Sequence, residues 1–124
     1  MAINEKNGHH KVLLNYKVWL SSITGNGIVG DTEYRLLKHI ANDKSLKAAS
    51  DDLGISYRKA WGDLKKAEEF LGYQLLDRQR GGKNGGNSIV TDKALKLIEA
   101  YEALQQTFDD QVEAAFNEFK NKIK

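Results

Sequence analysis

A mainly α fold with a small β component is what this sequence predicts, and three observations carry the expectation. Apolar residues recur at helical spacing in four separate stretches. Strand-like alternation is confined to segments beside glycine-rich turns. The chain contains no proline, so long helices can run unbroken. With 124 residues, 40% hydrophobic and 29% charged, a single globular domain with a modest core is expected.

Each element follows from a local pattern. From Val12 the apolar residues alternate through Leu14, Tyr16, Val18 and Leu20, with Leu13 and Trp19 on the other face, which predicts an N-terminal strand. Thr24-Gly25-Asn26-Gly27 predicts a turn, and Ile28 and Val29 a short return strand. Asp31 or Thr32 is expected to cap a first helix whose stripe is Tyr34, Leu37, Ile40 and Ala41, ending near Asn42. Ser45 is expected to cap a short second helix with Leu46, Ala49 and Leu53 facing inward. Gly54 then suits a left-handed helix end, and Ile55 plugs the turn into the core. Ser56 opens a third helix with Ala60, Leu64, Ala67 and Leu71 on its buried side, and Gly72 ends it. Trp61 and Phe70 flank that stripe, and the Trp61 indole is expected to be core, wedged between the third helix and the wing or first strand.

Leu75–Gln79 and Ser88–Val90 read as strands around a glycine-rich loop, Arg80-Gly81-Gly82-Lys83-Asn84-Gly85-Gly86. Thr91 caps the last helix, helped by Asp92. There Ala94, Leu97, Ile98, Tyr101, Leu104, Phe108, Val112, Ala115, Phe116 and Phe119 sustain an apolar stripe. Its length of roughly 42 Å, at about 1.5 Å per residue, exceeds what one small domain covers. The exposed remainder predicts a partner helix, most simply from a second copy of the chain. Leu97, Tyr101, Leu104, Phe108, Val112 and Phe116 are its candidate pairing residues, and dimer packing is favoured over a ligand pocket.

A short helix, a tight turn, a second helix and a hairpin define a winged helix-turn-helix. Residues 1–90 would form it, and residues 91–124 would form a long C-terminal dimerisation helix within the same structural unit. The charge agrees with this. Residues 1–90 hold 14 Lys and Arg against 10 Asp and Glu, whereas residues 91–124 hold 5 against 7. Positive charge therefore gathers where the helix-turn-helix and hairpin lie, which points to a nucleic-acid partner.

Ser56, Tyr57, Arg58 and Lys59 open the third helix together. On a DNA-binding reading, Ser56 and the helix N-terminus meet a phosphate while Tyr57 and Arg58 point into the major groove, Arg58 being able to pair with guanine O6 and N7. Lys65 and Lys66 would meet the backbone or only solvent. Ser45 stands at the start of the preceding helix as a further DNA-facing candidate. Arg78, Arg80, Lys83 and Asn84 would lie along a phosphate backbone or in a minor groove. The plainer reading makes these residues solvated surface charges on a capped helix and a glycine-rich hairpin.

Other chemistry is poorly represented. Without cysteine there are no disulfides, thiolate metal sites or cysteine nucleophiles, which fits a reducing cytoplasm. No secretory signal or membrane-length apolar run is visible. His9-His10 is a weak pair in an N-terminal arm, and His39 reads as a boundary residue of the first helix. Asp51-Asp52 reads as a solvated patch. The Gly82-Lys83 step lacks the Gly-Lys-Ser/Thr ending of a nucleotide phosphate loop. No catalytic constellation stands out, so no enzyme activity, metal or cofactor is expected.

The motif residues also carry a family resemblance. Ser45-Leu46-x-Ala48-Ala49, Leu53-Gly54-Ile55-Ser56-Tyr57-Arg58-x-Ala60-Trp61, the wing Gly81-Gly82-x-x-Gly85-Gly86 and Thr91 resemble the N-terminal DNA-binding domain of molybdate-responsive ModE-type regulators. Lys17-Val18-Trp19-Leu20 resembles that family's first strand. The likeness runs from about residue 12 to residue 105, and a looser one exists to LysR-type regulators. It implies a transcription regulator that binds operator DNA as a homodimer. Full-length members bind molybdate in a separate C-terminal domain. The chain leaves no room for one after its last helix, so molybdate is not an expected ligand. The competing expectation is a winged-helix module for protein–protein interaction.

Overall fold

The computed structural model describes residues 12–78 and 88–124. The element order is β1 (Leu20–Ser21), β2 (Gly27–Val29), α1 (Asp31–Asp43), α2 (Leu46–Leu53), α3 (Tyr57–Leu71), β3 (Leu76–Arg78), β4 (Ser88–Val90) and α4 (Asp92–Lys122). Two antiparallel two-stranded sheets, β1–β2 and β3–β4, accompany the four helices. The mainly α expectation holds. The chain packs as two units, one of Val18–Glu102 and one of Ala103–Lys124 with residues 12–17.

In the first unit the core joins every element. Leu36, Leu37 and Ile40 of α1, Leu46 and Ala49 of α2, and Ala60, Leu64 and Ala67 of α3 are buried together. Val29, Leu75, Leu76, Val90, Ala94 and Ile98 close it from the sheets and α4. The small side chains at positions 49, 60 and 67 let helix axes approach closely. Ile55 lies half-buried against this cluster, as the turn plug the sequence suggested.

Several helix ends follow the sequence. Ser45 Oγ accepts from Ala48 N at 3.0 Å, Ser56 Oγ from Lys59 N at 3.0 Å, and Thr91 Oγ1 from Ala94 N at 3.1 Å. Gly72 ends α3 in the left-handed region. The cap of α1 is different. Neither Asp31 nor Thr32 lies outside the helix; Gly30 does, and Glu33 Oε1 reaches back to accept from Gly30 N at 2.8 Å. A helix-borne carboxylate does the work assigned to a preceding side chain.

The predicted strand from Val12 to Leu20 is largely absent. Only Leu20 and Ser21 pair, against Val29 and Gly27. Alternation needs a partner strand to become a ladder, and β2 is only three residues long. Val12, Leu13 and Leu14 instead belong to the second unit, where they line a cavity of about 350 Å³ with Ala115, Phe116 and Phe119 of α4. The Tyr16 hydroxyl donates to Asp109 in the same unit.

Tyr101 also departs from expectation. It is 4% exposed, its ring packs on Tyr34 with centroids 5.2 Å apart, and its hydroxyl donates to Val18 O at 2.9 Å. Its ring is core, leaving little apolar surface for a second chain. Leu97 is half-buried against the same core.

Two polar groupings fasten the first unit. Glu68 is only 7% exposed, and its Oε2 accepts from Leu75 N at 2.8 Å and Leu76 N at 3.1 Å. The carboxylate thus ties the end of α3 to the start of β3. Truncating it would leave two buried amide donors unpaired, so Glu68→Ala should cost on the order of 3 kcal/mol in urea unfolding.

At the root of α4, Glu102 Oε2 accepts from Lys38 Nζ and from the Tyr34 hydroxyl, each at 2.5 Å. Lys38 first, then Tyr34, holds the Glu102 carboxyl below its ordinary value. Burial, and then the hydrogen bond and charge of Glu102, push the Tyr34 phenol up to about 12. A raised phenol means that folding favours the neutral form. That contribution is complete below the ordinary value of 10.0 and is lost as pH rises toward about 12. Urea midpoints at about pH 9 and about pH 11 should therefore differ more in the wild type than in Tyr34→Phe.

Candidate nucleic-acid interface

α2, the turn at residues 54–56 and α3 make a helix-turn-helix. Gly54 supplies the turn's sharpness at φ 73° and ψ 26°, a conformation that would strain a side chain. Its N–H reaches Asp51 O, and Ile55 N reaches Ser50 O at 3.0 Å. Ser50 is buried and donates its hydroxyl to Lys47 O at 2.9 Å, which closes the end of α2. The turn is thus held by its own backbone pairing.

Burial of Ala60, Leu64, Ala67 and Glu68 fixes the rotation of α3. Arg58 and Lys59 consequently face outward, while Ser56 and Tyr57 are exposed by their place at the start of the helix. Ser56, Tyr57, Arg58 and Lys59 are all exposed, Tyr57 to 49%. The Ser56 oxygen accepts from Lys59 N, yet its hydroxyl proton remains available to an external acceptor. Lys59 Nζ pairs with Asp63 Oδ2 at 3.0 Å, which draws that charge along the helix and away from the tip. Among the described residues no carboxylate pairs with Arg58. The expected tip is therefore assembled, with Tyr57 and Arg58 as its outward groups.

Trp61 is not the buried wedge the sequence suggested. It is 38% exposed, and Lys65 Nζ lies 5.7 Å from its ring centroid. Position 61 falls at the edge of the buried stripe, where an indole is too large to be covered. Phe70 is likewise exposed. Ser45 is half-buried, and its hydroxyl is engaged in capping α2.

The β3–β4 hairpin follows α3 in the position of a wing. Leu76 faces Val90, Asp77 faces Ile89 and Arg78 faces Ser88. The Thr91 hydroxyl donates to Gln74 O at 2.7 Å, binding the foot of the hairpin to the start of α4. Arg78 ends β3; Arg80, Lys83 and Asn84 lie outside the described residues.

The carboxylates anticipated as a solvated patch are shared out. Asp51 meets Lys47 Nζ at 3.3 Å, and Asp52 meets His39 Nε2 at 3.1 Å. His39 Nδ1 lies 3.0 Å from Asp43 Oδ2 but without hydrogen-bond alignment. Among the described residues no group of three His, Asp or Glu side chains could hold a metal ion. Among them, too, no helix is long and apolar enough to cross a membrane.

These elements define a winged helix-turn-helix, the architecture of a regulatory DNA-binding domain. The chain belongs to the bacterial regulatory helix-turn-helix proteins of the lysR family, whose model matches residues 32–94, about half of it, from α1 through the first turn of α4. Among curated relatives, the DNA-binding transcriptional dual regulator ModE of Escherichia coli K12 is 38% identical over 71 residues, 57% of this chain and 27% of that protein. The transcriptional regulator ModE of Haemophilus influenzae is 37% identical over 73 residues, 59% of this chain and 29% of that protein. The chain thus spans little more than a quarter of these relatives. In fold it resembles the BenM DNA-binding domain solved with catB site 1 DNA, at TM-score 0.51 and 23% identity, covering 67% of this chain and 87% of that one. ArgP of Mycobacterium tuberculosis gives the same TM-score at 16% identity, covering 69% of this chain and 30% of that one. The likeness to ModE-type regulators, and the looser one to the LysR type, both hold.

The cap at Ser56 sets where the exposed tip begins. Ser56→Ala should lose about 1 kcal/mol of stability and Ser56→Gly only a few tenths, measured by thermal unfolding.

Proposed function

We propose that this chain binds operator DNA as a homodimeric, cytoplasmic, non-enzymatic transcription regulator, with α3 in the major groove and the hairpin on the backbone or minor groove. One observation carries the reading. The rotation of α3, set by Ala60, Leu64 and Ala67, turns Arg58 outward, and Tyr57, as the first residue of the helix, is left exposed beside it. That is the presentation by which a helix N-terminus reaches base edges. Arg58 is assigned to a guanine, Ser56 and Ser45 to phosphates, and Lys59 and Lys65 to the flanking backbone. Arg78, Arg80, Lys83 and Asn84 are assigned to the wing contact. The family and the relatives named as DNA-binding regulators favour the same reading.

The dimer is supported by the second half of α4. Phe108 is 44% exposed, and Leu104, Val112 and Phe116 remain only partly covered. Pairing through Leu104, Phe108, Val112 and Phe116 would cover them. Entry of both copies of α3 into successive major grooves would require them about 34 Å apart, one turn of duplex. Molybdenum appears in the names of several relatives, of which this chain matches less than a third; no molybdate role is assigned to it.

Selection of bound duplexes from a random pool tests the proposal. It should return two half-sites about one helical turn apart. Affinity for the selected duplex should fall steeply with salt as phosphate contacts release counterions, whereas a protein-interaction module would bind duplex weakly at every salt concentration. Arg58→Ala should weaken the selected site by ~1–3 kcal/mol and relax one base preference. Phe108→Glu with Val112→Glu should give a monomer by sedimentation and weaken operator binding.

A further inference from the structure

Gly62 lies within α3 on an ordinary helical backbone and is not among the glycines of positive φ. Apart from its own stretch of helix, a Cβ built there would meet nothing within 4 Å among the described residues. Glycine is the poorest helix former after proline. Neither backbone geometry nor internal packing therefore calls for glycine at this position.

Its place on the helix suggests an external reason. Ala60, Leu64, Ala67 and Glu68 mark the buried face. With about 3.6 residues per turn, Gly62 falls on the opposite, outermost line of the helix. Arg58 stands about one turn before it and Lys66 about one turn after it, with Lys65 alongside, and all four residues are exposed. The bare backbone is thus centred in a basic strip that continues from the Tyr57–Arg58 tip.

We propose that Gly62 is a clearance position: it lets the base-pair edges on the floor of the major groove come into van der Waals contact with the α3 backbone, between the reach of Arg58 and that of Lys66. A side chain there would lift the helix out of the groove and lengthen the Arg58 contact. Gly62 thereby sets how deeply the helix sits, and it selects base edges by shape rather than by hydrogen bonding. This rests on the DNA-binding reading above and adds to it a residue without any functional group.

The probe is a duplex selected from a random pool by the wild-type chain. Gly62→Ala should raise the thermal midpoint by roughly 4 °C, because alanine favours the helix. It should nevertheless weaken duplex binding about tenfold, and Gly62→Leu should weaken it more. Higher stability with lower affinity separates lost clearance from a folding defect. If both Gly62 variants keep affinity within about twofold while Arg58→Ala loses it, the groove floor stands clear of this line. The inference is then overturned and the DNA reading survives. If Arg58→Ala also keeps its affinity, both fall.

Discussion

A buried carboxylate fixes the geometry on which the rest of this domain depends. Glu68 stands at the inner end of α3 and holds the first two amides of the β3 region. Through it, the helix that presents Tyr57 and Arg58 is tied to the start of β3. A helix cannot form a ladder with a strand, so α3 meets the Leu75 and Leu76 amides through a side chain. A side-chain acceptor replaces that missing backbone pairing. Isolated charge in a core is costly, yet one satisfied by two amide donors is tolerated and directional.

Around that joint the domain relies on small residues. Ala49, Ala60 and Ala67 are fully covered, against Leu36, Leu37 and Ile40 of α1 in the same buried cluster. Such contacts leave little freedom for α3 to rotate about its own axis, because any rotation would bring a larger neighbour into the same space. Which residues of α3 face outward is therefore decided by Ala60, Leu64, Ala67 and Glu68 on the opposite side. The exposed tip is thus built from behind.

The sequence disclosed local devices well and distant ones poorly. Ser45, Ser56, Thr91, Gly54 and Gly72 were legible because a cap or a left-handed end is decided within three or four residues. The apolar stripe of α3 was legible for the same reason. Glu68 was not, because it lies beside that stripe as a charged residue and its amide partners come seven and eight positions later. The alternation from Val12 satisfied the local rule for a strand but had no partner long enough to pair with. Trp61 and Tyr101 show how burial is settled in three dimensions. The first sits at the edge of a stripe and stays out; the second meets Tyr34 and Val18 and goes in. Of the candidate interface, the tip on α3 was readable from spacing. Gly62 carried no signal, because a residue without a side chain acquires meaning only once the outward line of its helix is known.

Lys44 adopts a left-handed conformation at φ 58° between α1 and α2. Its N–H reaches Ile40 O at 2.6 Å, and its carbonyl accepts from Ser88 N at 3.0 Å. The connection between the first two helices is thus stitched to the return strand of the hairpin at Ser88, which is buried. Its length has become non-negotiable. An insertion or deletion of one residue there would unpick the hairpin from the far side of the domain, so drift in loop length among descendants of this chain must be absorbed elsewhere.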